Sequence, residues 1–164
     1  MRVLGVDGGS AIAGWGVVTL MGNKFVHEDS GAILTNKKDV IEMRLKILYE
    51  QMMNLIKVNK PDVLAVESLF FFRNKTTIVP VSQARGVILL AGAMNDLPVF
   101  SYSPLQVKQA VTGYGKADKS QVQYMVKRLL GLHEIPKPDD VADALAVAIC
   151  HLQASQLNKM LLKI

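Results

Sequence analysis

The chain has 164 residues with a formal net charge of +5, and half of its residues are apolar. This composition excludes an intrinsically disordered chain, and the length suits one domain, so we expect a single domain over residues 1–164. A membrane span is excluded because no apolar stretch approaches the ~20 residues that one needs. The single cysteine, Cys150, excludes a framework of internal disulfides and favours a cytoplasmic location.

Apolar runs that end in Gly, Pro or Asp predict five strands, and helical spacing of apolar residues predicts the helices. The predicted strands cover residues 2–7, 14–20, 25–34, 63–66 and 98–100. The predicted helices run from 39 to about 59, from 77 to 95, after the N-cap pair Ser103-Pro104, from 118 to 131 and from about 139 onward. Asp39 with Glu42, and Asp118 with Gln121, match capping boxes. This order of elements indicates an α/β fold with a mixed sheet flanked by helices.

The middle of the chain carries two features that indicate partners. The helix over 77–95 is apolar on nearly every side, which is typical of a helix buried on every side, and we expect Gly86–Met94 to contact a partner subunit. Residues 73–128 contain eight basic and two acidic residues. That concentration indicates a polyanionic partner, most simply nucleic acid, although a solvated helical face would give the same pattern.

Four carboxylates stand out because they lie outside the usual caps and turns. Asp7 ends the first predicted strand and Glu67 ends the fourth, so parallel neighbouring strands would bring both to one carboxyl edge of the sheet. Asp140 and Asp143 are three residues apart and share a face of the last helix. That helix carries no basic residue before its far end, so nothing beside them along the chain can pair with them.

Carboxylates that converge in this way raise one another's pKa values unless cations neutralise them. Oxygen ligands favour Mg²⁺ or Mn²⁺ over zinc. Two such ions suit the hydrolysis of a phosphodiester, in which one activates water and the other stabilises the leaving oxygen. The alternative for each residue is structural: a helix amino terminus for Asp140 and Asp143, and a turn for Asp7.

The same residues belong to a series of short motifs that resembles the bacterial RuvC Holliday junction resolvases. Over about residues 1–155 the motifs follow in the order of that family: Gly5-Val6-Asp7-Gly8-Gly9-Ser10, Val66-Glu67, Gln83-Ala84-Arg85-Gly86, Val107-Lys108, Lys119-Ser120-Gln121-Val122 and Asp140-Val141-Ala142-Asp143-Ala144-Leu145-Ala146. The resemblance implies an RNase H-like fold with a mixed five-stranded sheet, and a homodimer. It further implies paired, Mg²⁺-dependent nicks of opposite strands at a four-way DNA junction, and a partner motor that drives branch migration. The catalytic and metal-binding acids of the family fall on Asp7, Glu67, Asp140 and Asp143, with two Mg²⁺ or Mn²⁺ ions in each active site.

The resemblance also implies DNA contacts outside the four acids. Phe70 falls where the family carries an aromatic residue that inserts at the junction. Lys108 and Lys119 match lysines that matter for junction cleavage, and we expect both near the scissile phosphate. The chain departs from the family at Gly8, where proline is usual, and at Asp139, an extra acid that we expect to cap the last helix.

Three other functions are open to the sequence alone. The run Asp7-Gly8-Gly9-Ser10 also resembles the phosphate loop of actin-like ATPases and sugar kinases, although those proteins need two lobes of this fold. A non-catalytic relative that binds branched DNA is disfavoured because all four acids are present. A YqgF-type nuclease acting on RNA shares the fold, but the motif at residues 119–122 and the chain length favour the junction resolvase.

Overall fold

The computed structural model describes residues 1–68 and 75–161, and this part of the chain forms five strands and five helices. The strands are β1 (Arg2–Gly8), β2 (Ile12–Met21), β3 (Lys24–Leu34), β4 (Val63–Glu67) and β5 (Val99–Tyr102). The helices are α1 (Ile41–Asn59), α2 (Lys75–Met94), α3 (Pro104–Thr112), α4 (Lys119–Leu130) and α5 (Asp139–Leu161). Each predicted strand and helix is present, with its ends shifted by a few residues at most. Within the described ranges, no helix is both long and apolar enough to cross a membrane.

The strands form one mixed sheet in the order β3-β2-β1-β4-β5. Strand β2 pairs with β1 and β3 in antiparallel orientation, whereas β4 lies parallel to β1 and β5 lies parallel to β4. Parallel neighbours need long crossover connections, and α1 and α2 lie in those connections. The predicted mixed α/β sheet is therefore confirmed, and its register sets Val6 of β1 beside Val66 of β4.

Helices cover both faces of the sheet, so residues of the central strand alternate between two apolar clusters. Val3 of β1 packs in one cluster with residues of α3, α4 and α5. Leu4 and Val6 pack in the other cluster with residues of α1 and α2. Because successive side chains of a strand point to opposite faces, β1 is buried on both sides. Its near-continuous apolar sequence follows from that position.

Helix α2 is half buried within this chain. Ala84 and Ile88 face the core, whereas Val79, Leu90 and Met94 are 59%, 53% and 61% exposed. Within a single chain this helix is not buried on every side, because the sheet and α1 cover only the side that carries Ala84 and Ile88. The exposed apolar side is the one on which we expect a partner subunit, and that contact stays a prediction.

The helix starts confirm two predicted caps and correct two others. Ser103 and Asp118 each accept a hydrogen bond from the backbone N–H three residues on, in complete capping boxes. The predicted capping box at Asp39 is wrong, because Val40 occupies the capping position of α1 and leaves Asp39 one residue too far from the helix. The predicted cap at Asp139 is also wrong, because α5 begins at that residue and its carboxylate forms ion pairs.

Candidate active site

The first two acids meet at the carboxyl end of the central parallel strand pair. Val6 is paired with Val66, so the residues that follow them, Asp7 and Glu67, lie beside each other at one edge of the sheet. Both residues are partly buried. The placement expected from the two strand ends is therefore confirmed.

Helix α5 reaches the same place because the strands beneath it carry glycine. A Cβ atom on Gly14 would collide with the backbone oxygen of Asp140, and one on Gly5 would collide with the backbone oxygen of Ala144. Gly14 is also the partner of Asp7 across the β1–β2 ladder. The first turn of α5, with Asp140, therefore lies directly against the strand end that holds Asp7. Sequence reasoning missed this role of Gly14, although glycine inside a strand often marks a close backbone approach.

The carboxylates are close enough to disturb one another's ionisation. Burial, followed by the charges of the other three carboxylates, raises the pKa of Asp7 from 3.8 to about 7. Burial and then the charge of Asp143 raise the pKa of Glu67 to about 7, and burial raises the pKa of Asp143. Burial and the neighbouring charges both disfavour the ionised carboxylates, so the cluster favours the binding of protons or cations. The structure thus brings together the four acids that stand out in the sequence.

A lysine from the neighbouring helix partly neutralises this cluster. Lys119, at the start of α4, places its Nζ atom 3.0 Å from the carboxylate of Asp143 and 3.6 Å from that of Asp139. Asp139 also pairs with Lys137 at 3.0 Å. The expectation that no cation pairs with the aspartates of α5 is wrong, because it considered neighbours along the chain and the packing of α4 on α5 supplies one.

Three of the four acids line two cavities that share Glu67. The first has a volume of about 220 Å³, and its charged lining residues are Glu67, Asp143, Lys108 and Lys119. The second has a volume of about 250 Å³, and its charged lining residues are Asp7, Glu67 and Arg85. The charge of Lys108, on α3, counters the rise in the pKa of Glu67 that burial causes. Both lysines expected near a scissile phosphate thus line the same cavity as Glu67 and Asp143, while Phe70 lies outside the described residues.

Arg85 of α2 holds the backbone of β4 in place. Its Nε atom donates a hydrogen bond to the carbonyl oxygen of Glu67 at 3.3 Å, and its Nη2 atom donates to Oγ of Ser101 on β5 at 2.7 Å. The next N–H, that of Ser68, donates to the carbonyl oxygen of Tyr102 at 2.8 Å. The backbone that carries the Glu67 carboxylate is therefore fixed from both α2 and β5. In the sequence, Arg85 lies in a motif that resembles the family and in the basic segment over residues 73–128, but neither feature predicts that it holds the backbone of Glu67.

A second network fixes the segment that follows Asp7. Arg44 of α1 donates from Nη2 to Oγ of Ser10 at 3.0 Å and from Nε to Oγ1 of Thr35 at 3.1 Å. The hydroxyl of Thr35 in turn donates to the carbonyl oxygen of Ser10 at 2.6 Å. Sequence reasoning missed this network because its three residues lie far apart along the chain and meet only in the fold.

The cluster offers oxygen ligands, which suit a hard divalent cation. Burial and the repulsion between the carboxylates raise the pKa values of Asp7 and Glu67, and the nearby lysines offset this rise only in part. In the part of the chain that the structure describes, no group of three or more His, Cys, Asp or Glu side chains is already arranged around one ion position. One oxygen of Asp143 is engaged by Lys119 at 3.0 Å. A cation that takes this oxygen of Asp143 must displace Lys119 from it.

Comparisons with known proteins agree with this arrangement. The family model described as crossover junction endodeoxyribonuclease RuvC matches residues 3–151. A protein of that name from Desulforamulus reducens is 56% identical over 155 residues, which cover 94% of this chain and 95% of the relative.

Two solved structures from Thermus thermophilus match the fold. The RuvC structure is 34% identical, with a TM-score of 0.90 over 96% of this chain and 97% of that one. RuvC in complex with a Holliday junction substrate is also 34% identical, with a TM-score of 0.91 over 96% of both chains. These matches confirm the RNase H-like fold that the motifs implied. Because the family model spans most of the sequence and the similarity extends over nearly the whole length of the relatives, the chain belongs to the RuvC family of crossover junction endodeoxyribonucleases.

Proposed function

We propose that this chain is a structure-selective DNA endonuclease that resolves four-way junctions by paired nicks of opposite strands, in recombination and repair. The observation that carries the proposal is the meeting of carboxylates from β1, β4 and α5 beside a cavity lined by two lysines. Family membership supports the reaction class, and the relative solved with a Holliday junction substrate supports the type of DNA.

Asp7, Glu67, Asp140 and Asp143 are the residues to which we assign catalysis and metal binding. Their oxygen donors and the repulsion between their negative charges fit two divalent cations in each site. We propose that these cations are Mg²⁺, for which Mn²⁺ can substitute. When bound, such ions would activate a water molecule and stabilise the leaving oxygen of the phosphodiester.

The protein's own residues prepare the site for that chemistry. Burial and mutual repulsion raise the pKa values of Asp7 and Glu67 to about 7, so this pair of carboxyl groups is partly protonated near neutral pH, and the binding of a cation would release those protons. Arg85 holds the backbone of Glu67 against movement. Lys108 and Lys119 line the cavity and would neutralise the charge of a phosphate placed there.

DNA contacts extend the proposal beyond the acids. We assign Lys108 and Lys119 to the backbone near the cut. Phe70 follows Glu67 by three residues in the sequence, which keeps it near the site along the chain. On the strength of the resemblance, we assign Phe70 to stacking on a base at the branch point.

Symmetric resolution needs two sites in one assembly, since each site cuts one strand, and we propose a homodimer. The exposed apolar side of α2, with Val79, Leu90 and Met94, is the surface that supports this interface. We further propose that the whole chain is one nuclease domain, that it acts in the cytoplasm where bacterial DNA lies, and that it works with a branch-migration motor.

Strand-specific cleavage of a synthetic four-way junction tests the proposal. The wild type should place symmetric nicks near the branch in Mg²⁺ and none in EDTA, and Asp7→Asn should bind the junction without cutting it. The matched control is Asp29→Asn, an exposed aspartate on β3 that should leave cleavage unchanged. Equal cutting of plain duplex would contradict junction selectivity, preference for RNA would favour a YqgF-type activity, and binding without cleavage would favour a non-catalytic relative.

A further inference from the structure

Lys119 stands between an inner and an outer aspartate at the start of α5. Its Nζ atom is 3.0 Å from Oδ2 of Asp143, whose side chain is 28% exposed, and 3.6 Å from Oδ2 of Asp139, whose side chain is 44% exposed. Asp143 belongs to the proposed catalytic set, whereas Asp139 has no role in that set. One ammonium group is therefore shared between a proposed metal ligand and an acid just outside the site.

Asp139 is itself held in position by other groups. Lys137 donates to its Oδ1 atom at 3.0 Å, which leaves Oδ2 facing Lys119. Asp139 is thus held on one oxygen by Lys137, while its other oxygen remains within ion-pairing distance of Lys119.

A divalent cation that takes Oδ2 of Asp143 competes with the ammonium group of Lys119 for that oxygen, because two positive charges in contact with one oxygen repel each other. The ammonium group that such a cation displaces already has Oδ2 of Asp139 within ion-pairing distance, at 3.6 Å. A small movement of a flexible side chain completes the transfer.

We propose that Lys119 and Asp139 form an exchange pair: Lys119 neutralises Asp143 in the metal-free protein, and Asp139 receives Lys119 when a divalent cation takes Asp143. Asp139 is thereby a positioning residue, which keeps the ammonium group at the edge of the cavity where a phosphate would lie. This inference rests on the proposed function, because it needs Asp143 to be a metal ligand.

If the exchange occurs, Lys119 lowers the affinity of the site for a divalent cation, and Asp139 raises that affinity by accepting Lys119. Removing the competitor by Lys119→Met should tighten Mn²⁺ binding in the absence of DNA by about threefold to tenfold, the range of one partly exposed ion pair. Asp139→Asn should weaken binding by about threefold in the wild type. In the Lys119→Met background the same substitution should have little effect, since no ammonium group is left to receive.

The experiment measures free Mn²⁺ by electron paramagnetic resonance during titration of the DNA-free protein, for the wild type, both single variants and the double variant. Lys116→Met is the matched control, because Lys116 is an exposed lysine three residues before Lys119 and lines neither cavity of the site. Equal effects of Lys119→Met and Lys116→Met, or an equal effect of Asp139→Asn in both backgrounds, would overturn the exchange. Asp143→Asn serves as a separate check. If this substitution leaves Mn²⁺ binding unchanged, Asp143 is not a metal ligand, and both the proposed metal site and the exchange are contradicted.

Discussion

Replacing Asp7 by asparagine should stabilise the metal-free protein while abolishing cleavage. In the folded chain, burial and the neighbouring carboxylates hold the pKa of Asp7 at about 7 instead of 3.8. Asparagine has nearly the same shape and no charge, so it removes the repulsion without leaving a cavity. Carboxylates that converge to bind cations should therefore lower the free energy of unfolding of the protein when no cation is bound.

The size of the effect follows from the pKa. At about 1.36 kcal/mol per pKa unit, a rise from 3.8 to about 7 means that ionised Asp7 lowers the free energy of unfolding by at most about 4 kcal/mol. Because Asp7 is only partly buried and shares protons with Glu67, we expect about 1–2 kcal/mol.

The sign of the pH dependence follows as well. A carboxyl group with a raised pKa binds more protons in the folded state than in the unfolded state, so the wild type loses stability as the pH rises from about 4 to about 7. Asparagine does not titrate in this range. The advantage of Asp7→Asn should therefore be small near pH 4, grow through that window and be complete above about pH 8.

Urea denaturation in EDTA at about pH 5 and about pH 8.5 measures this difference. Glu50→Gln is a suitable control, since Glu50 is an exposed residue of α1 in a surface ion pair with Lys46 at 3.7 Å. Addition of Mg²⁺ should reverse the order, because the wild type alone gains binding energy from the cation. A gain of equal size at both pH values, or a loss at the higher one, would show that the carboxyl group of Asp7 does not weaken the fold through a raised pKa.

Three further predictions concern residues that shape the site. Gly14→Ala should lower the free energy of unfolding by about 1–3 kcal/mol and slow cleavage about 100-fold, since the new Cβ atom collides with the backbone of Asp140. Denaturation measures the first effect and a single-turnover assay the second, and an unchanged cleavage rate would contradict the prediction. Arg85→Ala should slow single-turnover cleavage about tenfold, because it removes the hydrogen bond that holds the carbonyl group of Glu67, and it should leave the affinity for the junction within about twofold of the wild type. A loss of affinity without a slower cleavage step would indicate that Arg85 contacts DNA instead. Lys108→Gln should reduce the slope of log K against log salt by about one in junction-binding titrations, and an unchanged slope would exclude a phosphate contact.

The four acids could be predicted from the sequence because simple local rules fix where each one points. Asp7 and Glu67 end apolar strands, and a strand end in a parallel pair lies at a known edge of the sheet. Asp140 and Asp143 share a face because they are three residues apart on a helix. One assumption, that the two strands are parallel neighbours, was enough to join these local features into a site.

Contacts between separate elements could not be predicted in the same way. The pairing of Lys119 with Asp143 depends on how α4 packs on α5, and the bond from Arg85 depends on how α2 lies beside β4. Gly14 signals that something approaches the strand, but the sequence does not say that it is the backbone of Asp140. These contacts are tertiary, so no periodicity along the chain records them.

Cleavage of a supercoiled plasmid that extrudes a cruciform tests whether the four-acid site makes paired cuts at a four-way junction. Two nicks within the lifetime of one complex yield linear plasmid, whereas a single nick relaxes the supercoil, the cruciform is reabsorbed and a nicked circle results. With Mg²⁺, the wild type should give linear product, and Glu67→Gln should give neither product above background. Nicked circles as the main product of the wild type, or linear product at an undiminished rate from Glu67→Gln, would contradict the account.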